Sequence, residues 1–114
     1  MVKINKYKDE SVSVIEIEGE VDASSSITLD EAIGEELDKG EQKIIIDCQQ
    51  LKYISSAGLG VFMSYIQEIS ENNVKMILFG LSEKVFNVFK ILGLHQLLEI
   101  VENKEVALQK VNEV

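Results

Sequence analysis

Alternating and continuous runs of apolar residues divide the chain into predicted strands. The stretch SVSVIEIEGEV, with the strand at Val12–Val21, alternates apolar and polar positions, as a strand with one buried face does. Met1–Tyr7 predicts a shorter strand, joined to it by a hairpin turn at Lys8–Glu10. The β-branched run in Lys43–Cys48 is typical of a central strand that is covered on both faces.

Apolar residues at helical spacing predict three helices between and after these strands. Their inward faces are Leu29, Ala32, Ile33 and Leu37 for the first, Leu59, Phe62, Met63, Ile66 and Ile69 for the second, and Val85, Val88, Phe89 and Leu92 for the third. Gly40 ends the first helix and Gly93 the third. Gly34 lies inside the first helix, where glycine costs up to ~1 kcal/mol relative to alanine.

Hydroxyl residues precede each predicted helix, and a hydroxyl can accept a hydrogen bond from a free N–H of the first helical turn. The candidates are Ser24, Ser25 and Ser26, or Thr28 with Glu31 as a capping box, for the first helix, Ser55 or Ser56 for the second, and Ser82 for the third. Which member of each group caps its helix stays open at this point.

The remaining segments complete an α/β pattern. Val74–Phe79 predicts a buried strand, Ile100–Val101 a short edge strand and Lys104–Val114 a terminal helix, while Gln49–Ile54 connects the third strand to the second helix. Strands that alternate with helices imply βαβ crossovers. A length of 114 residues suits one two-layer core, so we expect residues 1–114 to form a single domain. Its mostly parallel central sheet has four to five strands, with an antiparallel N-terminal edge and about four helices.

Composition limits the classes of function. Hydrophobic residues make up 46% of the 114-residue chain, which is typical of a globular protein. Apolar runs are too short to span a membrane, and the N-terminus lacks the apolar core of a signal peptide, so we expect a cytoplasmic protein with no membrane insertion. The single cysteine, Cys48, agrees with a reducing compartment. A net charge of −9 repels phosphate backbones and argues against nucleic-acid binding.

The stretch YISSAGLGVF, Tyr53–Phe62, places two serines and two glycines between a strand-like and a helix-like run. Ser56 here can be a helix cap, a nucleophile or a phosphorylation site on an interaction surface. A serine nucleophile needs an activating base, and the only histidine, His95, is expected in a loop or at the surface. No P-loop pattern is present either. We expect a binding module rather than an enzyme, with no catalytic residue, cofactor or metal ion.

Three segments resemble the anti-sigma-factor antagonists, the proteins of the STAS domain (sulfate transporter and anti-sigma-factor antagonist). They are IEIEGEVDASSSITL, IIIDCQQLKYISSAGLGVF and GLSEKVFNVFKILGL, and the similarity extends over essentially the whole chain. On the family's motif, Ser56 falls on the phosphorylated serine and Ser55 stands where many antagonists carry aspartate. Asp22 falls on an acidic position near the phosphoserine loop, where a helix-capping role and a partner contact are both open.

The resemblance implies a partner switch in a bacterial cytoplasm. The unphosphorylated protein would bind an anti-sigma factor with serine kinase activity and free the sigma factor, phosphorylation of Ser56 would end the binding, and a serine/threonine phosphatase would reset it. The implied partner-binding residues are Asp22, Ser24, Ser55, Ser56, Ala57, Gly58, Leu59 and Gly60. The alternative is a non-switching STAS adaptor subunit of a signalling assembly or transporter complex. The oligomeric state is open between a monomer and a weak dimer.

Overall fold

A five-stranded mixed sheet organises the protein, which a computed structural model describes over residues 2–113. In chain order the elements are β1 (Val2–Asp9), β2 (Val12–Val21), α1 (Ser26–Asp38), β3 (Lys43–Ile54), α2 (Ser56–Glu71), β4 (Lys75–Phe79), α3 (Glu83–Ile91), α4 (Leu94–Leu97), β5 (Glu99–Val101) and α5 (Lys104–Val111). The strand order is β1-β2-β3-β4-β5, with β1 antiparallel to β2 and every other neighbouring pair parallel. The predicted α/β fold with an antiparallel N-terminal edge is thus confirmed.

Apolar layers cover both faces of the sheet. The larger layer contains residues of α1, α2 and α3, including Leu59, Phe62, Val85 and Phe89. The smaller layer lies under α5, where Ala107 and Val111 pack with residues of the strands. The three isoleucines of β3 divide between the layers: Ile44 and Ile46 join the larger one, Ile45 joins the smaller one, and all three are fully buried. This two-sided burial explains why the run in β3 is continuously apolar.

The third strand is six residues longer than the predicted Lys43–Cys48, because Gln49–Ile54 is strand rather than connection. Exposed polar residues such as Gln49 and Gln50 interrupt the apolar pattern, so the sequence does not indicate this part of the strand. The extension exists because β2 is also long and pairs in parallel with β3 as far as the pair Val21 and Ile54, through two register shifts. Both strands therefore end side by side at one edge of the sheet.

Smaller corrections concern helix starts and side-chain exposure. Thr28 and Glu31 form no capping box, because α1 already begins at Ser26. Leu92 and Met63 were expected to face inward, but each is 49% exposed. His95 lies in the unpredicted one-turn helix α4, half-buried with its ring edge-on to a phenylalanine, rather than in a loop or at the surface.

Other boundaries move by a few residues. The strand β1 runs through Asp9, so the hairpin turn falls at Glu10 and Ser11 instead of Lys8–Glu10. The helix α5 ends at Val111, and the ends of the predicted segments at Met1 and Val114 lie outside the described residues.

A buried carboxylate fastens α1 to the sheet. Glu36 is 4% exposed and accepts hydrogen bonds from the Ser13 hydroxyl of β2 and from the ammonium groups of Lys6 and Lys39, the latter two at 3.2 Å. Burial by itself raises the pKa of Glu36, but these hydrogen bonds outweigh it and hold the pKa below its ordinary value. Glu36 is therefore ionised at neutral pH and fully paired.

We predict that Glu36→Gln lowers the free energy of unfolding by about 1–3 kcal/mol at pH 7, because the charge-assisted hydrogen bonds are lost. A lowered folded-state pKa adds stability above the unfolded-state value of about 4.3, and this stability is lost as the pH falls through the folded-state pKa. The difference between wild type and variant should therefore shrink from pH 7 to pH 3 in urea unfolding.

The matched control for this experiment is Glu35→Gln. It removes the neighbouring carboxylate, which bonds the same Lys6 at 2.6 Å but is exposed. This variant should change stability little. Equal losses for the two variants would show that the buried carboxylate has no special role.

Candidate functional site

Two loops meet where β2 and β3 end. Val21 and Ile54 are paired as the last residues of these parallel strands. The backbone N–H of Ser55 then donates to the carbonyl oxygen of Val21 at 2.8 Å. The loop from β2 to α1 and the start of α2 are thus direct neighbours. They occupy the carboxyl edge of the sheet, where ligands of open α/β sheets bind.

The start of α2 assigns different roles to its two serines. Ser55 is the N-cap, in an extended conformation with φ −84° and ψ 171°, and its hydroxyl accepts the N–H of Gly58 at 3.2 Å. Ser56 is the first helical residue and is exposed, and within residues 2–113 its hydroxyl has no hydrogen-bond partner. The hypothesis that Ser56 only caps the helix is wrong. The serine whose hydroxyl makes no hydrogen bond within the described residues is Ser56.

Asp22 organises the other loop. Its Oδ1 atom accepts hydrogen bonds from the backbone N–H and the hydroxyl of Ser25 and from the hydroxyl of Ser24, each at 2.9 Å. The backbone bond from Ser25 contributes most to a pKa of about 2 for Asp22. The exposed carboxylate is therefore fully ionised at neutral pH, and the start of α1 is ordered by Asp22 rather than by a capping bond from a serine.

The glycines of α2 differ in their surroundings. A Cβ on Gly58 would lie 2.7 Å from Cγ1 of Ile54 and 2.8 Å from Cγ1 of Val21, so its absence lets the helix pack directly on both strand ends. A Cβ on Gly60 would meet no atom within 4 Å. Gly60 therefore leaves the surface of α2 open, whereas Gly58 serves internal packing.

The predicted partner-binding residues thus divide into two groups. Gly58 and Leu59 are buried, Leu59 at 1% exposure, so they support the surface from below and do not present side chains to a partner. The structure brings the remaining residues together around the two adjoining loops: Asp22, Ser24, Ser55, Ser56, Ala57 and Gly60.

Met63 is an exposed apolar residue of α2 that the sequence pattern assigned to the core. It follows Ser56 by seven residues, which is two helical turns, and so lies along the same side of α2. Its side chain is 49% exposed. An apolar residue in an amphipathic helix is ordinarily assigned to the core, and only the observed exposure separates Met63 from the buried Phe62.

Neither a metal-ligand cluster nor a membrane-spanning helix occurs in the part of the chain that the structure describes. No group of three or more histidine, cysteine, aspartate or glutamate side chains there is arranged to hold a metal ion. No helix there combines the length and the apolar character needed to cross a membrane. The Cys48 thiol is buried, and this burial raises its pKa, as does the nearby Asp47 carboxylate.

Comparisons with known proteins agree with this architecture. A family model described as the STAS domain matches residues 3–107. The anti-sigma-B factor antagonist of Listeria monocytogenes is 33% identical over 97 residues, which cover 83% of this chain and 83% of that protein. A crystal structure of an anti-sigma factor antagonist from Mycobacterium paratuberculosis has a TM-score of 0.91 at 18% identity, over 99% of this chain and 96% of that one. The Bacillus cell fate determinant SpoIIAA in its phosphorylated form has a TM-score of 0.71 at 21% identity, over 98% of this chain and 100% of that one.

We predict opposite effects for alanine at the two glycines of α2. Gly58→Ala should lower the free energy of unfolding by about 1–3 kcal/mol, because the added methyl group overlaps the strand side chains. Gly60→Ala should raise it by up to about 1 kcal/mol, since alanine favours the helix and meets open space. Urea unfolding of both variants tests this, and a stabilising Gly58→Ala would contradict the packing described.

The capping assignment makes a separate prediction for the two serines. Ser55→Ala should destabilise the protein by about 1 kcal/mol through loss of the cap, whereas Ser56→Ala should stay within about 0.5 kcal/mol of wild type. Thermal unfolding followed by circular dichroism measures the difference. A larger loss for Ser56→Ala would show that the cap is Ser56.

Proposed function

The chain belongs to the STAS domain family, and we propose that it is an anti-sigma-factor antagonist controlled by phosphorylation of Ser56. The unphosphorylated form binds an anti-sigma factor that has serine kinase activity, and the sigma factor is released. Phosphorylation of Ser56 ends this binding, and a serine/threonine phosphatase restores it. The protein is a regulator rather than an enzyme and acts in the bacterial cytoplasm.

The observation that carries the proposal is the free hydroxyl of Ser56. It is exposed at the first position of α2, and the helix does not need it, since Ser55 supplies the cap. A kinase can therefore reach the oxygen without opening the fold. Phosphate at this position lies at a helix N-terminus, where free N–H groups and the helix dipole favour an anion. The folded protein thus tolerates both states of Ser56.

The same phosphate acts against partner binding. It adds about −1.5 to −2 charges to a surface that a partner must cover. The chain already carries a net charge of −9, and the loop next to Ser56 holds the ionised Asp22. A partner that complements this acidic surface in its unmodified state has to desolvate the added charge, and a loss of only about 1.4 kcal/mol weakens binding tenfold.

Ser55 retains one part of the family's pattern and alters another. Serine and aspartate are similarly good N-caps, so Ser55 preserves the helix start in place of the aspartate that many antagonists carry. It removes one negative charge beside Ser56. The kinase of this protein should therefore recognise a less acidic sequence at this point than the kinases of those antagonists do.

Relatives support the proposal. The Listeria relative is an anti-sigma-B factor antagonist. SpoIIAA, which shares the fold, occurs in an unphosphorylated and a phosphorylated form. The fold therefore accommodates a phosphate in that protein.

We predict that a lysate of the native organism yields the same anti-sigma factor with immobilised wild type and Ser56→Ala, and at least about tenfold less with Ser56→Asp. The matched control is Ser70→Asp, which adds the same charge to an exposed position at the far end of α2 and should retain the partner. The purified partner with ATP should then add one phosphate to wild type, located at Ser56 by mass spectrometry.

The switch is contradicted if wild type and the three variants, Ser56→Ala, Ser56→Asp and Ser70→Asp, all retain one partner and wild type is not phosphorylated. That result would instead support the non-switching adaptor subunit of a signalling assembly or transporter complex.

A further inference from the structure

A tyrosine bridges α1 and α2 beyond the site. The hydroxyl of Tyr65 in α2 lies 2.7 Å from Oδ1 and 3.1 Å from the carbonyl oxygen of Asp30 in α1, and it donates to these acceptors. Burial and the adjacent Asp30 carboxylate raise the pKa of Tyr65, so the hydroxyl keeps its proton at neutral pH. The bridge is therefore present under physiological conditions.

Gly34 makes room for this bridge. A Cβ on Gly34 would stand 3.0 Å from the Tyr65 hydroxyl oxygen, closer than most side chains tolerate. Glycine inside a helix is ordinarily unfavourable by up to about 1 kcal/mol. Glycine at position 34 is thus unfavourable for the helix itself, and the approach of the Tyr65 hydroxyl explains why it is there.

The bridge adds a polar contact to the apolar packing between α1 and α2, where Leu29 and Ile33 share the larger layer with Phe62. A second polar contact, at the strand ends, joins the Ser55 N–H to the carbonyl oxygen of Val21 in β2 at 2.8 Å. Tyr65 follows Ser56 by nine residues, which is about 13 Å along the helix axis. Apolar packing is not directional, whereas a hydrogen bond is, so the bridge restricts the angle between the two helices beyond what packing alone sets.

We propose that Tyr65 is a positioning residue for the phosphorylation site. By fixing the angle between α1 and α2, it keeps the Asp22–Ser25 loop at the start of α1 and Ser56 at the start of α2 on one continuous surface. This inference rests on the proposed function, since the surface in question is the one that the kinase recognises. Tyr65 itself touches neither the phosphate nor the partner.

The first test needs no partner. Amide hydrogen exchange is measured by NMR for the hydrogen-bonded N–H groups of Ser25, Ser55 and Gly58, with global stability determined by urea unfolding. Tyr65→Phe keeps the ring and removes the bridge, and it should speed local exchange of these amides about three- to tenfold. Gly34→Ala should speed exchange less than Tyr65→Phe does, because the hydroxyl at the end of the tyrosine side chain can yield to the added methyl group, and the double variant should be no worse than Tyr65→Phe alone.

The matched control is Tyr7→Phe. It removes a tyrosine hydroxyl that accepts a hydrogen bond from Lys104 at 2.8 Å, between β1 and α5 and away from the site. This variant should leave the exchange of the site amides at the wild-type rate.

The second test uses the anti-sigma factor kinase and ATP. Tyr65→Phe should raise KM for phosphorylation of Ser56 about three- to tenfold with kcat within about twofold of wild type, since recognition is impaired and chemistry is not. The proposal is overturned if Tyr65→Phe matches Tyr7→Phe in both site exchange and KM, whatever its effect on stability. If no kinase phosphorylates wild type, the proposed function fails, and the exchange measurement alone decides whether Tyr65 positions the two loops.

Discussion

The close approach of α2 to the ends of β2 and β3 is the constraint on which the site depends. Gly58 permits it, because any larger side chain would overlap Val21 and Ile54. The approach requires two long strands that end together, and it brings the Ser55 N–H to the carbonyl oxygen of Val21. Without this contact, the loop of Asp22 and the start of α2 would be separate features of the surface.

A helix cap and a phosphate acceptor place different demands on a hydroxyl group, and two adjacent serines can meet them separately. A hydroxyl that caps a helix is held in place by a backbone N–H, and one that receives phosphate must be accessible and dispensable for the fold. Ser55 takes the first task, and in the proposed function Ser56 takes the second. The ionised Asp22 beside them makes the surface acidic before any modification. In the proposed function, the phosphate therefore changes the interaction with a partner far more than it changes the protein itself.

Periodicity predicted the fold class and most elements because buried faces leave a regular trace in the sequence. The motif likewise placed the two site loops together through the family resemblance. The extension of β3 through Gln49–Ile54 was missed because its residues are mostly polar or exposed, and its pairing is set by β2, which is distant in sequence. The roles of Ser55 and Ser56 could not be separated by spacing, since they are adjacent at the start of the same helix. The sequence of α1 likewise gives no reason for Gly34, because the side chain that approaches it, Tyr65, belongs to another helix.

In the proposed function, acceptance of a phosphate by the fold and its rejection by the partner are separate free-energy terms, and one comparison isolates the second. The protein is prepared with phosphoserine at position 56 and titrated calorimetrically against the purified anti-sigma factor, beside the unmodified protein. We predict an unchanged melting temperature for the phosphoprotein and an affinity at least about tenfold weaker, which is about 1.4 kcal/mol. Equal affinities of the two forms would contradict the claim that Ser56 is the switch.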